Sequence, residues 1–260
     1  MNQEPLDAVP LWLLFLLVCL LTGSALEGGY RLGSWRHART KEEKETPVGA
    51  MVGSMLALFA FLLAFTFGMA GSRFEDRRQV VLEEANAIGT TYLRTRLLPE
   101  PQRGESTRLL REYVDVRVRG VREGSVQEMI TRSEEIHERL WVEATTAAER
   151  NPTPITALYV QSLNQMIDLH AVRVQVGLRN RIPGIIWTGL FALALLGMTA
   201  VGYQSGLSAT RRSPAMAGLV LAFAGVLLLI ADLDRVHQGQ LRVSQQALID
   251  LQTAMNAPKP

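Results

Sequence analysis

The 260 residues carry 27 basic and 25 acidic side chains, so the net charge is only +2. A nucleic-acid-binding protein is expected to show a one-sided basic excess, and this composition has none. A single cysteine excludes a disulfide framework within one chain. The averages of 48% hydrophobic and 20% charged residues conceal two parts of very different character.

Four stretches free of Asp, Glu, Lys and Arg divide the chain, at 8–26, 48–72, 182–203 and 213–231. A helix needs about 20 mainly apolar residues to cross a hydrocarbon core of ~30 Å, and each stretch is long enough. We therefore predict an all-α integral membrane protein whose four transmembrane helices form two hairpins flanking a helical extramembrane domain. The lipid bilayer is its first expected partner. The expected division is a first hairpin at 1–72, the helical domain at 73–181, a second hairpin at 182–235 and a C-terminal amphipathic tail at 236–260.

The basic residues of the short loops predict the orientation of the spans. The N-terminal tail has no Lys or Arg, which also argues against a cleaved signal peptide. Eight basic residues flank the spans on the side of the central domain. The contrast across the first span favours cytoplasmic hairpin loops, with the termini and the central domain outside. The hairpin loops hold Arg31, Arg36, Arg39, Lys41, Lys44, Arg211 and Arg212.

The second span carries an aromatic stripe. Phe61 and Phe65 lie one helical turn apart, and Leu58 continues the same face. If several copies of the chain surround an axis, this stripe would form stacked apolar rings that gate a pore by dewetting. Phe59 and Phe67 lie away from this stripe. The alternative is ordinary packing of the stripe against lipid or within the hairpin.

The central block contains 17 Arg, no Lys and 16 acidic residues, and its apolar residues recur at helical spacing. It predicts a continuation of the second span to Pro99, followed by helices at 106–119, 125–149 and 154–181. A terminal amphipathic segment is expected at 240–255. The predicted core-facing residues are Val80, Val81, Ala85, Ile88, Tyr92, Leu93, Leu109, Leu110, Tyr113, Val114, Val118, Ile130, Ile136, Leu140, Trp141, Ala144, Ile155, Leu158, Met166, Leu169 and Val176, with Leu241, Leu248, Leu251 and Met255 in the tail.

No enzyme signature is present in the sequence, so we predict neither catalytic residues nor a cofactor. Glu134 and His137 have the Glu-x-x-His spacing of carboxylate-bridged metal sites, but such sites need two of these pairs. Asp168 and His170 have the wrong spacing for a shared helix face. We therefore predict that the chain holds no metal.

Two groups of charged residues require an interpretation. Glu83 and Glu84 follow Arg77 and Arg78 on a predicted helix, and ion pairs on or between helices explain them better than acid–base chemistry. The sequence Asp232-Leu-Asp-Arg235 ends the fourth span. It places three charged residues, Asp232, Asp234 and Arg235, directly after an apolar stretch. Charges at membrane depth usually face a protein interior or a water path. A polar pathway and an interfacial stop signal are both open interpretations.

Four runs carry a resemblance to a known family. They are LLAFTFGMAGSRFEDRRQVVLEEANAIGTTYLRTRLLPEP at 62–101, LLREYVDVR at 109–117, NQMIDLHAVRVQVGLRNRIPGIIW at 164–187, and LIADLDR at 229–235 with GQLRVSQQALIDL at 239–251. Over nearly its whole length the chain resembles a bacterial bestrophin-like membrane protein family. The family is distantly similar in architecture to the bestrophin anion channels.

The resemblance implies a homo-oligomer, a pentamer in the bestrophins, in a bacterial inner membrane, with small anions as the permeant class. By position, Phe61, Phe65 and Leu58 would form the hydrophobic neck. The short helical domain and the charge bias of the loops depart from the bestrophin pattern. Two functions follow: an oligomeric ion channel, or a non-conducting scaffold or sensor whose helical domain binds a partner.

Overall fold

A computed structural model of the protein describes residues 9–39, 45–123, 125–208, 213–235 and 239–257. The described residues are 89% helical and contain no strand. The predicted all-α membrane fold is therefore confirmed. The tail at 1–8 and four of the loop residues used for the orientation, Lys41, Lys44, Arg211 and Arg212, lie outside the described residues.

The helices follow the predicted order, with α3 longer than predicted and α5 and α8 shorter. A 3₁₀ turn at Thr95–Leu97 follows α2, and a π-helical turn at Gln175–Arg179 follows α5. The α-helices are α1 (Leu11–Arg39), α2 (Glu45–Arg94), α3 (Gln102–Glu123), α4 (Val126–Arg150), α5 (Pro154–Val174), α6 (Gly184–Leu207), α7 (Pro214–Asp234) and α8 (Gln246–Asn256).

Four of these helices, α1, α2, α6 and α7, are long and apolar enough to cross a membrane. They overlap the four predicted spans, so the predicted number of spans is confirmed. The helix α2 runs without interruption from Glu45 to Arg94, as the predicted continuation of the second span required. Pro154 and Pro214 stand at the starts of α5 and α7, where a missing backbone N–H costs nothing.

The chain divides into two compact units. Unit 1 comprises Met1–Arg73 and Arg181–Leu241, and unit 2 comprises Phe74–Asn180 and Arg242–Pro260. The C-terminal helix α8 thus belongs to the same unit as the central segment. The division into four parts by residue number stays a prediction.

Glycines bring two helices of unit 1 into close contact. Gly29 and Gly33 of α1 face α6, and Gly202 and Gly206 of α6 face α1. A Cβ atom on any of the four would overlap a backbone carbonyl oxygen of the opposite helix. Small residues spaced four apart allow helix backbones in a membrane to approach in this way, because apolar side chains gain little by leaving lipid.

Unit 2 has an apolar core formed by α3, α4, α5, α8 and the C-terminal part of α2. Leu109, Leu110, Ile136, Leu140 and Met166 are fully buried in it. These residues were predicted to face the core. The helix α8 packs onto the same core through Leu248 and Met255.

Five of the predicted core-facing residues are exposed instead: Leu93, Trp141, Ile155, Leu158 and Leu241. The prediction for these positions was wrong. The buried face of α5 shows the reason, because it repeats at spacings of three and four from a different starting residue. That face is lined by Thr156, Tyr159, Leu163, Met166 and His170, so Ile155 and Leu158 each lie one residue, about 100° of helix rotation, away from it.

Candidate functional site

The aromatic stripe of α2 lies on a face that the protomer leaves uncovered. Leu58, Phe61 and Phe65 are 51%, 65% and 63% exposed. Phe59, one residue after Leu58, is fully buried and its ring centroid lies 4.8 Å from that of Phe223 in α7. The helix therefore has one face packed inside unit 1 and an opposite apolar face available to lipid or to another copy of the chain.

The other two phenylalanines of the span take different positions. Phe59 belongs to the packed face, whereas Phe67 is also exposed. Phe67 is separated from Phe65 by two residues, about 200° of helix rotation, so it lies on a different side of α2 from the stripe. This difference makes Phe67 a matched control for the stripe.

The three charged residues at the end of α7 are buried in unit 1. Asp234 accepts hydrogen bonds from Arg181 Nε at 3.1 Å and from the backbone N–H of Ile182 at 3.0 Å. Asp232 accepts from the backbone N–H groups of Gln240 at 2.7 Å and Leu241 at 3.2 Å.

Arg235, the third of these charged residues, also forms a hydrogen bond with the backbone. The side chain of Arg235 donates to the carbonyl oxygen of Val9 at 2.6 Å. Asp232, Asp234 and Arg235 therefore hold turns and chain segments together at this end of α7. Their role as a polar pathway stays a prediction.

A second polar cluster, which the sequence did not lead us to expect, lies in the core of unit 2. The carboxylate of Glu84 in α2 is fully buried. Tyr113 Oη donates to its Oε1 at 2.8 Å, and Arg117 Nη2 donates to its Oε2 at 3.3 Å. Arg173 of α5 forms an ion pair with the same carboxylate and donates from Nη2 to Gln245 Oε1 at 2.6 Å. We call Glu84, Tyr113, Arg117 and Arg173 the Glu84 cluster.

Two histidines adjoin the Glu84 cluster. The ring of His137 in α4 lies 4.8 Å from that of Tyr113 and 4.9 Å from that of His170 in α5, measured between centroids. His170 Nδ1 is 3.3 Å from the hydroxyl of Tyr113. Both Nε2 atoms are buried without a hydrogen-bond partner in the part of the chain that the structure describes.

The sequence spacing pairs His137 with Glu134 and gives His170 no partner on its own helix, whereas the fold brings the two histidines together. Within the described residues, no group of three or more His, Cys, Asp or Glu side chains could hold a metal ion. The pair belongs instead to a cluster dominated by guanidinium groups.

Burial and charge shift the pKa values of this region strongly. Burial alone would raise the pKa of Glu84, but the guanidiniums of Arg173 and Arg117 outweigh it and hold the pKa at about 2. Burial raises the pKa of Tyr113 well above its usual value, and the Glu84 charge adds to the rise. Glu84 is therefore a permanent carboxylate and Tyr113 a permanent hydroxyl donor at neutral pH.

The two histidines are neutral for the same reasons. Burial lowers the pKa of His137 to about 3, with His170 and Arg117 contributing further. Burial and then Arg117 lower the pKa of His170 to about 4. Both rings are therefore neutral at neutral pH.

One sequence signal for this cluster was available. Arg117 lies four residues after Tyr113 and one before Val118, within the predicted buried face of α3. An arginine in a buried helical face requires a buried partner. Glu84 lies between Val81 and Ile88 on the buried side of α2, so the same test would have nominated it.

Comparison with known proteins gives two matches. A family model for the Bestrophin-like domain matches residues 18–248. The chain is also similar to the crystal structure of a membrane protein, with a TM-score of 0.63 and 14% sequence identity over 95% of this chain and 98% of that one. At this identity the likeness shows the fold alone. No curated protein matches the chain.

Proposed function

We propose that this chain, which belongs to the bestrophin-like family, assembles into an oligomeric membrane channel. Family membership and the four membrane-spanning helices support a channel-like role in general. The finer proposal is a homo-oligomer, a pentamer by analogy with the bestrophins, that conducts small anions and performs no catalysis.

The observation that supports it best is the uncovered stripe on α2. Leu58, Phe61 and Phe65 are more than half exposed within the protomer, whereas Phe59 on the other face is fully buried. Rotational symmetry would turn this stripe into successive apolar rings around an axis. Water leaves a narrow apolar ring because it cannot recover its lost hydrogen bonds there, and the ions leave with it. Phe61 and Phe65 would thus form a hydrophobic constriction.

The charged group at the end of α7 is a second element of the proposal. Asp232, Asp234 and Arg235 are buried together at one end of an apolar helix. In an assembly they would offer ions a polar environment at the membrane boundary, which is the usual setting of charges at this depth. Their binding of backbone groups supports a fixed rather than a mobile arrangement.

The proposed location is a bacterial inner membrane, with both hairpin loops in the cytoplasm. The basic residues of the first loop that the structure describes, Arg31, Arg36 and Arg39, lie near the C-terminal end of α1. The N-terminal tail before the same helix has none. This asymmetry supports an outer location for both termini and for the central domain.

A non-conducting scaffold or sensor is the second candidate function. The observation that favours it is the exposed apolar surface of unit 2, to which Trp141 and Val142 of α4 and Ile155 and Leu158 of α5 contribute. Exposed apolar residues in a domain outside the membrane are candidates for contact with a partner protein.

Flux measurements on phenylalanine variants distinguish the two functions. Phe61→Ala or Phe65→Ala would widen the constriction and admit a continuous water column, so anion flux into reconstituted liposomes should rise several-fold. Phe67→Ala removes an exposed ring from another side of α2 and should leave flux unchanged. Phe59→Ala empties a packed site and should lower stability by about 3–5 kcal/mol instead.

The opposite results are equally informative. If no variant conducts, or if all four variants change flux alike, the pore proposal fails and the scaffold function is favoured. Symmetry of the purified particles gives an independent check. A monomer or dimer would leave α2 no ring to form.

A further inference from the structure

The Glu84 cluster contains more buried positive charge than negative charge. Arg117 and Glu84 are 1% and 0% exposed, and Arg173 is 12% exposed. Two guanidiniums thus face one carboxylate. An arginine guanidinium is in general a permanent cation in proteins. Glu84 can neutralise only one of them, so the cluster retains one net positive charge.

The hydrogen bonds of the cluster leave part of this charge without a partner. Glu84 already accepts from Tyr113, Arg117 and Arg173, so its oxygens are occupied. Arg117 Nη1 is buried and has no hydrogen-bond acceptor among the described residues. A buried guanidinium N–H without an acceptor is costly, since the group has lost its water and gained nothing in return.

The surroundings of Arg117 do not supply the missing negative charge. The neighbouring rings, Tyr113, His137 and His170, are neutral. Burial is the main cause of the low pKa values of both histidines, and the positive charge of Arg117 lowers each of them further. The partial exposure of Arg173 shows that this side of the cluster is not sealed from solvent.

We infer that the Glu84 cluster binds one small monovalent anion, which accepts a hydrogen bond from Arg117 Nη1 and balances the excess guanidinium charge. Halide-like ions suit the site because they are compact and take hydrogen bonds from any direction. The site lies within unit 2, and its occupancy depends on the fold of the protomer rather than on conduction. It is therefore distinct from the constriction proposed for α2.

The test uses the purified full-length protein in detergent, with its unfolding temperature measured in sodium bromide and in sodium gluconate of equal concentration. Gluconate is too large to enter a buried site, whereas bromide binding to the folded state raises the unfolding temperature. The wild-type protein should be several degrees more stable in bromide. Bromide should also give an anomalous diffraction peak next to Arg117 Nη1.

Three variants separate this site from general salt effects. Arg173→Gln removes the excess charge and leaves the Glu84–Arg117 pair neutral, so the bromide effect should disappear. Arg173→Lys keeps the charge and should keep the effect. Arg132→Gln removes one positive charge from an exposed ion pair in the same unit and should also keep the effect.

Three results would overturn the inference. They are equal stability of the wild-type protein in both salts, an undiminished bromide effect in Arg173→Gln, and wild-type crystals that show only water at Arg117. If Arg173→Gln does not fold, the position of bromide in the wild-type crystals decides alone.

Discussion

Unit 1 brings its helices together through glycines, whereas unit 2 brings them together through large apolar side chains around a buried carboxylate. In unit 1 the backbones of α1 and α6 touch at Gly29 and Gly202. In unit 2 the helices are held apart by Leu109, Ile136 and other core residues. The solvent explains the difference. Lipid gives apolar side chains no reason to leave it, whereas water does.

The two units also use buried carboxylates differently. Asp232 in unit 1 accepts hydrogen bonds from the backbone N–H groups of Gln240 and Leu241 and so fixes a local turn, and Asp234 accepts one from the backbone N–H of Ile182, 52 residues away in the chain. Among the described residues, Glu84 in unit 2 accepts from side chains of α3 and α5. Asp232 and Asp234 thus hold backbone segments in place, whereas Glu84 ties three helices together.

The largest loss of stability is expected when the negative charge of Glu84 is removed from the core of unit 2. Glu84→Gln would leave Arg117 and Arg173 buried without a counter-charge and should lower the free energy of unfolding by about 3–5 kcal/mol. Glu105→Gln breaks a partly exposed ion pair with Arg108 and should cost less than about 1 kcal/mol. Denaturant unfolding followed by circular dichroism measures both. Equal effects would show that the Glu84 cluster does not hold unit 2 together.

Replacing an exposed apolar residue by lysine tests which solvent each unit faces. Leu196 in α6 and Ile155 in α5 are both more than half exposed in the protomer. Leu196→Lys should cost about 3 kcal/mol in membrane insertion because a span centre tolerates lysine poorly. Ile155→Lys should change stability by less than about 0.5 kcal/mol. The yield of membrane-inserted protein measures the effect of Leu196→Lys, and the unfolding temperature measures that of Ile155→Lys. An unchanged yield for Leu196→Lys would place α6 outside the bilayer.

Acid should weaken unit 2 through its two buried histidines. In the unfolded chain both histidines take up protons near pH 6.5, but in the folded chain only at about 3 for His137 and 4 for His170. Because the unfolded state then binds more protons, stability falls as pH decreases from 6.5 towards 4. At pH 5 each histidine should account for roughly 2 kcal/mol.

The variant His137→Phe keeps an aromatic ring in the core and removes one of these protonation sites. Its stability should therefore depend less steeply on pH between 6.5 and 5 than that of the wild type. His37→Gln changes an exposed residue at the end of α1 and should keep the wild-type slope. An unchanged slope in His137→Phe would mean that this histidine is accessible to protons in the folded protein.

The smallest change addresses the glycine contact of unit 1. Gly202→Ala adds one methyl group that overlaps a backbone oxygen of α1, so it should lower stability by at least about 1 kcal/mol. Gly23→Ala on α1 places its methyl group in open space and should be neutral or slightly stabilising, since alanine favours helix. Unfolding temperatures in one detergent compare them. If the two substitutions behave alike, α1 and α6 are not in close contact.

Helix content and spans were predictable because both depend on local properties of the sequence. Uncharged stretches and helical periodicity identified the four spans and most of the core of unit 2, including Leu140 and Tyr113. The errors at Ile155 and Trp141 arose because apolar residues occur on more than one face of α4 and α5. Periodicity alone does not indicate which face meets the neighbouring helices.

The pairing of residues within the Glu84 cluster lay beyond such reasoning because its members are far apart in the chain. Glu84 is 89 residues from Arg173, and His137 pairs with His170 on another helix. Local spacing gave His137 a neighbour on its own helix, Glu134, and left the partner of Glu84 open. Only packing decides which buried charge meets which.

The sequence by itself determined the class of the protein: an all-α membrane protein of four spans with a charged helical domain between them. That much follows from composition, since transfer into hydrocarbon depends on each segment's own side chains. The tertiary structure decided which glycines meet, which face of α2 stays uncovered and how two arginines come to share one carboxylate. Those outcomes depend on the relative positions of distant segments, because helix contact and charge pairing act only over a few ångströms.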